Sequence, residues 1–253
     1  MKSSTTVRRV RRSVIPGSGI KLLLGVLLLY GPSILPAEDI VAVTRSGRSI
    51  LVSQVEPDVR QLTLALHDID ASLDDPIVDI RGFGALEELA DLHIYHAPQI
   101  ETFEFLAEAS RLEVLVISFS RVRTIDFLSS MPALRVLVLE FCNDWESDPG
   151  LPFLSDPVDL VSNPRIEYIG LVLCALESMP RFVSVPESLR YLDLSYNSID
   201  LVGDDPAHLK ELRTLESIFL NGNPVDPTSA RSLPNITLSS ADDFRHRYLE
   251  WSP

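Results

Sequence analysis

The chain is short of the residues that would make it a disulfide scaffold, a nucleic-acid binder or a membrane bundle. Only two of its 253 residues are cysteines, Cys142 and Cys174, so the fold has to rest on a core rather than on bridges. No acidic residue precedes Glu38, and Lys2, Lys21 and Lys210 are the only lysines. All 36 acidic residues fall after position 37, against 16 basic ones there, which leaves that body at −20. A surface of that sign repels nucleic acid and anionic lipid, and we discount both as partners. Apolar runs are short as well. The stretch "LLLGVLLLY" (22–30) is well below the roughly 20 residues that span a bilayer, and Pro32 and Pro36 interrupt any extension. There is no phosphate-cradling glycine loop, no nucleophile elbow and no His-Glu zinc helix, so the sequence proposes neither catalysis nor a cofactor.

What is present suffices to bury a core: 45% of the residues are hydrophobic and 23% charged. The first 37 residues stand apart. Arg8, Arg9, Arg11, Arg12 and Lys21 precede the apolar stretch, and "GPSILPA" (31–37) then breaks it and ends on a small residue. This is the order of a secretory signal peptide, with cleavage expected after Ala37 and export to the periplasm, cell surface or medium. The alternative is an uncleaved anchor formed by residues 20–37, the one route by which a membrane enters.

The body repeats. In "LRYLDLSYNSID" (189–200) apolar residues stand at Leu189, Leu192, Leu194 and Ile199, with Asn197 among them. That spacing fits neither strict alternation nor a helical rhythm. It recurs in copies that begin at Val59, Leu89, Leu112, Leu134, Ile166, Leu189, Leu215 and Leu233, in steps of 30, 23, 22, 32, 23, 26 and 18 residues.

The pattern L-x-x-L-x-L-x-x-N/C-x-L resembles that of the leucine-rich-repeat family, whose repeats run 20–29 residues. The resemblance extends from Val59 to about Ser240 and is complete at 189–199 and 215–225. Asn197 and Asn223 fill the polar slot in those two copies, and Cys142 and Cys174 fill it in two others. His67, Ala97 and Ser120 occupy it in the first three. The resemblance implies an α/β leucine-rich-repeat solenoid, a horseshoe with a curved parallel sheet on its concave side and short helical or irregular convex segments. Each copy would supply one strand whose leading apolar residues share a continuous core. The slot residues would form a structural ladder, donating and accepting hydrogen bonds where the chain leaves the strand.

The flanks complete this organisation. Residues 38–58 read as a capping hairpin, with two strands around Ser46-Gly47. Residues 59–240 hold the repeats. The interval after Cys142 carries a Pro- and Asp-rich insertion, 143–164, expected to bulge as a loop. Residues 241–253 place Phe244, Tyr248 and Trp251 at helical spacing, a C-terminal cap.

Alternation then points certain residues out of the sheet: Val114, Val116 and Phe119, then Val136, Val138 and Phe141, with Tyr168, Tyr191, Tyr196 and Phe219 continuing the stripe. Apolar and aromatic residues on a water-facing surface are expected to mark an interface. The sequence therefore reads as a monomeric, non-enzymatic protein-binding module that meets its partner through the concave face. A self-associating structural element of the cell envelope is the alternative. Asp91, His93 and His96 suggest a remote metal-dependent enzyme, although neighbouring copies offer no third strong ligand. Cys142 and Cys174, in one slot of consecutive copies, lie within disulfide reach, but buried free thiols standing in for asparagine account for them better.

Overall fold

The computed structural model describes residues 37–70, 74–100, 102–142, 158–201, 212, 215–225 and 236–237. The signal segment (apart from Ala37), residues 143–157 of the insertion and the C-terminal segment with Phe244, Tyr248 and Trp251 lie outside the described residues.

Strands dominate. In chain order they are β1 (Glu38–Thr44), β2 (Ser49–Val55), β3 (Gln61–Ala65), β4 (Ile77–Arg81), β5 (Asp91–Tyr95), β6 (Val114–Ser118) and β7 (Val136–Glu140). After these come β8 (Val158–Asp159), β9 (Tyr168–Val172), β10 (Phe182–Ser184), β11 (Tyr191–Asp193), β12 (Ser217–Phe219) and β13 (Ile236–Thr237). Eight of them form one parallel sheet in the order β13-β12-β11-β9-β7-β6-β5-β3. Each copy of the sequence pattern therefore supplies one strand, and copies adjacent in sequence pair in space.

Register follows rank. Leu62, Leu92, Leu115, Leu137, Ile169, Leu192, Ile218 and Ile236 pair in a single column across all eight strands. Leu64, Ile94, Ile117, Leu139 and Leu171 form a second column, and these residues are 0–1% exposed. The leading residues of the copies, from Leu89 through Leu215, are buried in the same apolar cluster. One strand cannot bury its inner edge alone, but a stack of strands gives each leucine a neighbour of equal rank on both sides.

Backbone hydrogen bonds repeat with the same regularity before each strand. Glu113 N–H donates to Ala90 O at 2.7 Å, Arg135 to Glu113 at 2.8 Å, Glu167 to Arg135 at 2.8 Å, Arg190 to Glu167 at 3.0 Å and Glu216 to Arg190 at 2.7 Å. Charge alternates along this column. Arg135 bridges both Glu113, at 3.6 Å, and Glu167, at 2.9 Å, while Arg190 meets Glu216 at 2.6 Å. These pairs are solvated, so each contributes little to stability.

The return segments after β5 and β6 are single 3-10 turns, Glu104–Glu108 and Asp126–Ser130. They bury Phe103, Leu106, Phe127 and Leu128 against the back of the sheet. Phe103 and Phe127 lie 5.9 Å apart, one copy above the other.

The sequence did not show how the first interval is spent. β1 and β2 form an antiparallel hairpin, and β4 adds to β1 on its other side, giving a three-stranded sheet ordered β2-β1-β4. β4 comes from within the 30-residue step between the first two copies, which explains why that step is long. Ile40, Ala42, Ile77 and Ile80 join the apolar cluster that contains Leu62 and Leu64. The small sheet thus covers part of the interior of the large one.

The polar slot is filled by a relay of side chains. Asn197 Oδ1 accepts from the N–H groups of Cys174 at 2.9 Å and Leu176 at 3.1 Å. Its Nδ2 donates to Leu171 O at 2.7 Å and Leu194 O at 2.8 Å. Asn223 serves the next turn, accepting from Ile199 N–H at 3.0 Å and donating to Leu194 O at 2.8 Å. Ser120 does a smaller version of this, accepting from Ala97 N–H and donating to Ser118 O, both at 3.1 Å. Both cysteines are free and buried. The Cys142 thiol lies 3.2 Å from Ile117 O, and that of Cys174 lies 3.4 Å from Leu139 O. Burial pushes the Cys142 thiol up to about 12 and that of Cys174 well above its ordinary value. Both stay protonated and serve as weak donors.

Unequal bonding predicts unequal costs. Asn197→Ala removes its bonds to Cys174 N–H, Leu176 N–H and Leu171 O, while Leu194 O keeps Asn223, and should lower stability by about 3–5 kcal/mol, whereas Cys142→Ala should cost about 1–2 kcal/mol. Urea unfolding of the two variants measures the difference, and equal losses would show that the slot is merely filled space.

Candidate functional site

Alternation along the strands sends every second side chain away from the main core, and on the outer face these residues also fall into columns. One runs Gln61, Asp91, Val114, Val136, Tyr168, Tyr191 and Ser217; the next runs Thr63, His93, Val116, Val138, Gly170, Asp193 and Phe219. Several of these residues are less exposed than the sequence leads one to expect.

Val116, Val136, Val138, Tyr168 and Phe219 are only 1–5% exposed. The first four form an apolar cluster of their own, separate from the main core, against which Val114 and Tyr191 are half-buried. They are therefore corrected from open contact residues to packed ones, because residues on neighbouring strands stand close enough to cover one another. Gly170 takes part in this. A Cβ there would sit 3.1 Å from Tyr168 Cε1, so the missing side chain lets the Tyr168 ring lie across the next residue outward on its own strand. The Tyr168 hydroxyl donates to Asp193 Oδ2 at 3.0 Å, and Ser195 N–H donates to Asp193 Oδ1 at 3.0 Å, which solvates a carboxylate that is 0% exposed. Tyr191 is held differently, with its hydroxyl on Glu216 Oε2 at 2.6 Å.

The open aromatic residues lie one step further along, where the chain leaves each strand. Phe119 is 39% exposed and Tyr196 48%, while Phe141 is half-buried. Tyr95, which the sequence reading passed over, is 36% exposed, although its place two residues after His93 on the outward register was enough to find it. Phe119 and Phe141 stack with centroids 4.4 Å apart and planes 12° from parallel; Tyr95 leans on Phe119 at 5.1 Å. The stacking distance is close to the spacing of adjacent strands, so the sheet itself sets the ring separation.

These residues share a backbone conformation that the sequence did not announce. His96, Phe119, Phe141, Leu173 and Tyr196 all have φ between 53° and 63°, and Gly222 takes the next place with φ 74°. The left-handed region costs a residue with a side chain about 1–2 kcal/mol. Each site is held there by a bond to the following copy: Phe119 N–H reaches Glu140 O at 2.9 Å, Phe141 reaches Val172 O at 3.0 Å, and Tyr196 reaches Asn221 O at 2.7 Å. At Gly222 a Cβ would lie 2.5 Å from the Tyr196 ring, so glycine makes room for the last aromatic of the row. The result is a rim of rings presented from rigid turns.

The candidate metal residues are not brought together. Asp91 accepts from Gln61 Nε2 at 2.6 Å, His93 Nε2 lies 3.2 Å from Ser118 Oγ, and His96 packs against His67 with ring centroids 4.6 Å apart. Among the described residues no group of three His, Cys, Asp or Glu is placed to hold a metal ion. His93 is a largely buried imidazole whose pKa burial lowers to about 4.

No family model matches this chain, and no curated protein matches it. Among solved structures it is similar to an internalin, InlF, from Listeria monocytogenes str. 4b F2365, at 22% identity and a TM-score of 0.48, over 73% of this chain and 49% of that one. It is also similar to a chain of the mouse RP105/MD-1 complex, at 19% identity and a TM-score of 0.28, over 61% of this chain and 35% of that one. The chain thus spans half or less of the length of the structures it resembles.

The buried imidazole gives this surface an acid limit. His93 is lowered from 6.5 to about 4 in the folded state, so the unfolded chain binds the proton first as pH falls. Stability should decline from about pH 6.5 toward pH 4, by about 3 kcal/mol at most. In thermal melts, His93→Gln should flatten that slope relative to wild type; an unchanged slope would remove His93 from the account.

Proposed function

We propose that the chain is an exported leucine-rich-repeat solenoid that binds a protein partner through the aromatic rim at the strand exits. The fold half of this reading is supported by the rank-to-rank pairing of the repeat copies and by the slot relay between their turns. The binding half is carried by one observation: Phe119, Phe141 and Tyr196 stand at least partly open to solvent on turns whose N–H groups are bonded to the next copy, and Tyr95 stands open beside Phe119 at the end of β5. Large aromatic residues that stay exposed on an ordered backbone lose little freedom when they are covered, which favours affinity. The packed residues Val116, Val136, Val138 and Tyr168 serve as the floor beneath them. Export rests on the order of basic, apolar and small residues in the first 37 positions.

A double variant, Phe119→Ser with Tyr196→Ser, should lose capture of a partner by ten-fold or more while its melting temperature stays close to wild type. Both positions keep a side chain on a left-handed backbone, so strain changes little. Binding from the native envelope fraction, read against melting, checks this. Retained capture would move the interface elsewhere, and an unfolded variant would make these rings part of the core.

A further inference from the structure

Every strand inside the large sheet has a partner on both sides, and β1 is likewise flanked by β2 and β4. β2 and β4 end the small sheet, and the outer backbone edge of β2 has no partner among the described residues. Seven residues long, with the sequence SILVSQV, β2 contains no charge, proline or glycine. Strands at sheet edges are usually blunted by such residues, because a row of unpaired N–H and C=O groups is a template for another strand. The one blunting feature here is a bulge at Val52, where the register against β1 slips by a residue. Leu51, at the middle of the strand, is 51% exposed.

Charge appears only at the two ends. Arg48 precedes β2 and is exposed; Glu56 follows it and is half-buried, with its Oε2 closed to solvent and without a hydrogen-bond partner among the described residues. A strand with a cation at its start and an anion after its end is complementary to itself when antiparallel, and opposes itself when parallel.

We propose that β2 is a self-association edge, at which a second copy of this chain adds its own β2 antiparallel about a two-fold axis near Leu51 and Val52. The two small sheets then form one of six strands, β4-β1-β2 continued by the second copy's β2-β1-β4. The two Leu51 side chains meet near the axis, and at each end Arg48 of one copy lies beside Glu56 of the other. Such a symmetric contact closes on itself and stops at two chains. One strand pair is a small interface, so association is weak and reversible. The contact is independent of the aromatic rim and replaces the monomer expected from sequence with a reversible dimer.

Sedimentation equilibrium of the full chain, from low micromolar to several hundred micromolar, should show a monomer–dimer equilibrium. Leu51→Lys, a change at an open position, should weaken dimerisation at least ten-fold without moving the melting temperature. Arg48→Glu alone and Glu56→Arg alone should each weaken it by placing like charges together, and the double swap should restore it, which damage to the hairpin would not do. A single mass at all concentrations would overturn the proposal. So would a dimer indifferent to Leu51→Lys, or single swaps that the double does not rescue.

Discussion

The structure depends on one constraint: each copy of the repeat leaves backbone groups that only the next copy can satisfy. Before each strand an N–H donates to the carbonyl of the preceding copy, from Glu113 on Ala90 to Glu216 on Arg190. After β5, β6, β7, β9 and β11 a residue in the left-handed region donates forward, as Phe119 does to Glu140. Between these points the slot side chains close the turn. Because an unpaired buried amide costs about 1–3 kcal/mol, a copy shifted from its neighbour would lose several such bonds at once. This holds the leucine columns in register and makes the surface above them rigid.

The same constraint accounts for the chemistry of the slot. Asparagine suits it because one side chain accepts and donates together, and Asn197 does both across two copies. Cysteine keeps only the weak donor and gains from being small and apolar, which suits a site fully closed to water. Desolvation keeps both thiols protonated, so they fit the protein as hydrogen-bonding fillers rather than as nucleophiles. The sequence thus changes donors along one column without changing the path of the backbone.

Much of the interior was legible from spacing. The pattern in "LRYLDLSYNSID" has no simple period because it describes a strand, a turn and a return, and the ranks it assigns to Leu137, Ile169 and Leu192 are the ranks that pair. Three features were not legible, each for a physical reason. β4 leaves the repeat to join the small sheet, and a five-residue stretch with three apolar residues does not say which sheet it will enter. Val116, Val138 and Tyr168 point outward as alternation requires, but alternation fixes direction and is silent on what covers a side chain. The left-handed turns were hidden because glycine and asparagine are the usual signals for that conformation, and here phenylalanine, tyrosine, leucine and histidine adopt it. Their strain is offset by the forward bond, a long-range contact that no local propensity registers.

The forward bond is also the quantity to measure. Amide hydrogen exchange on the folded protein distinguishes an N–H bonded to the next copy from one in an ordinary exposed loop, and Phe119, Phe141 and Tyr196 are the residues to read. The account predicts that these amides, although they belong to exposed or half-buried turn residues, exchange as slowly as those of Leu115 and Leu137 in the adjacent strands. Exchange at the rate of open loop amides would show that the copies are not tied together at the strand exits, and would contradict it.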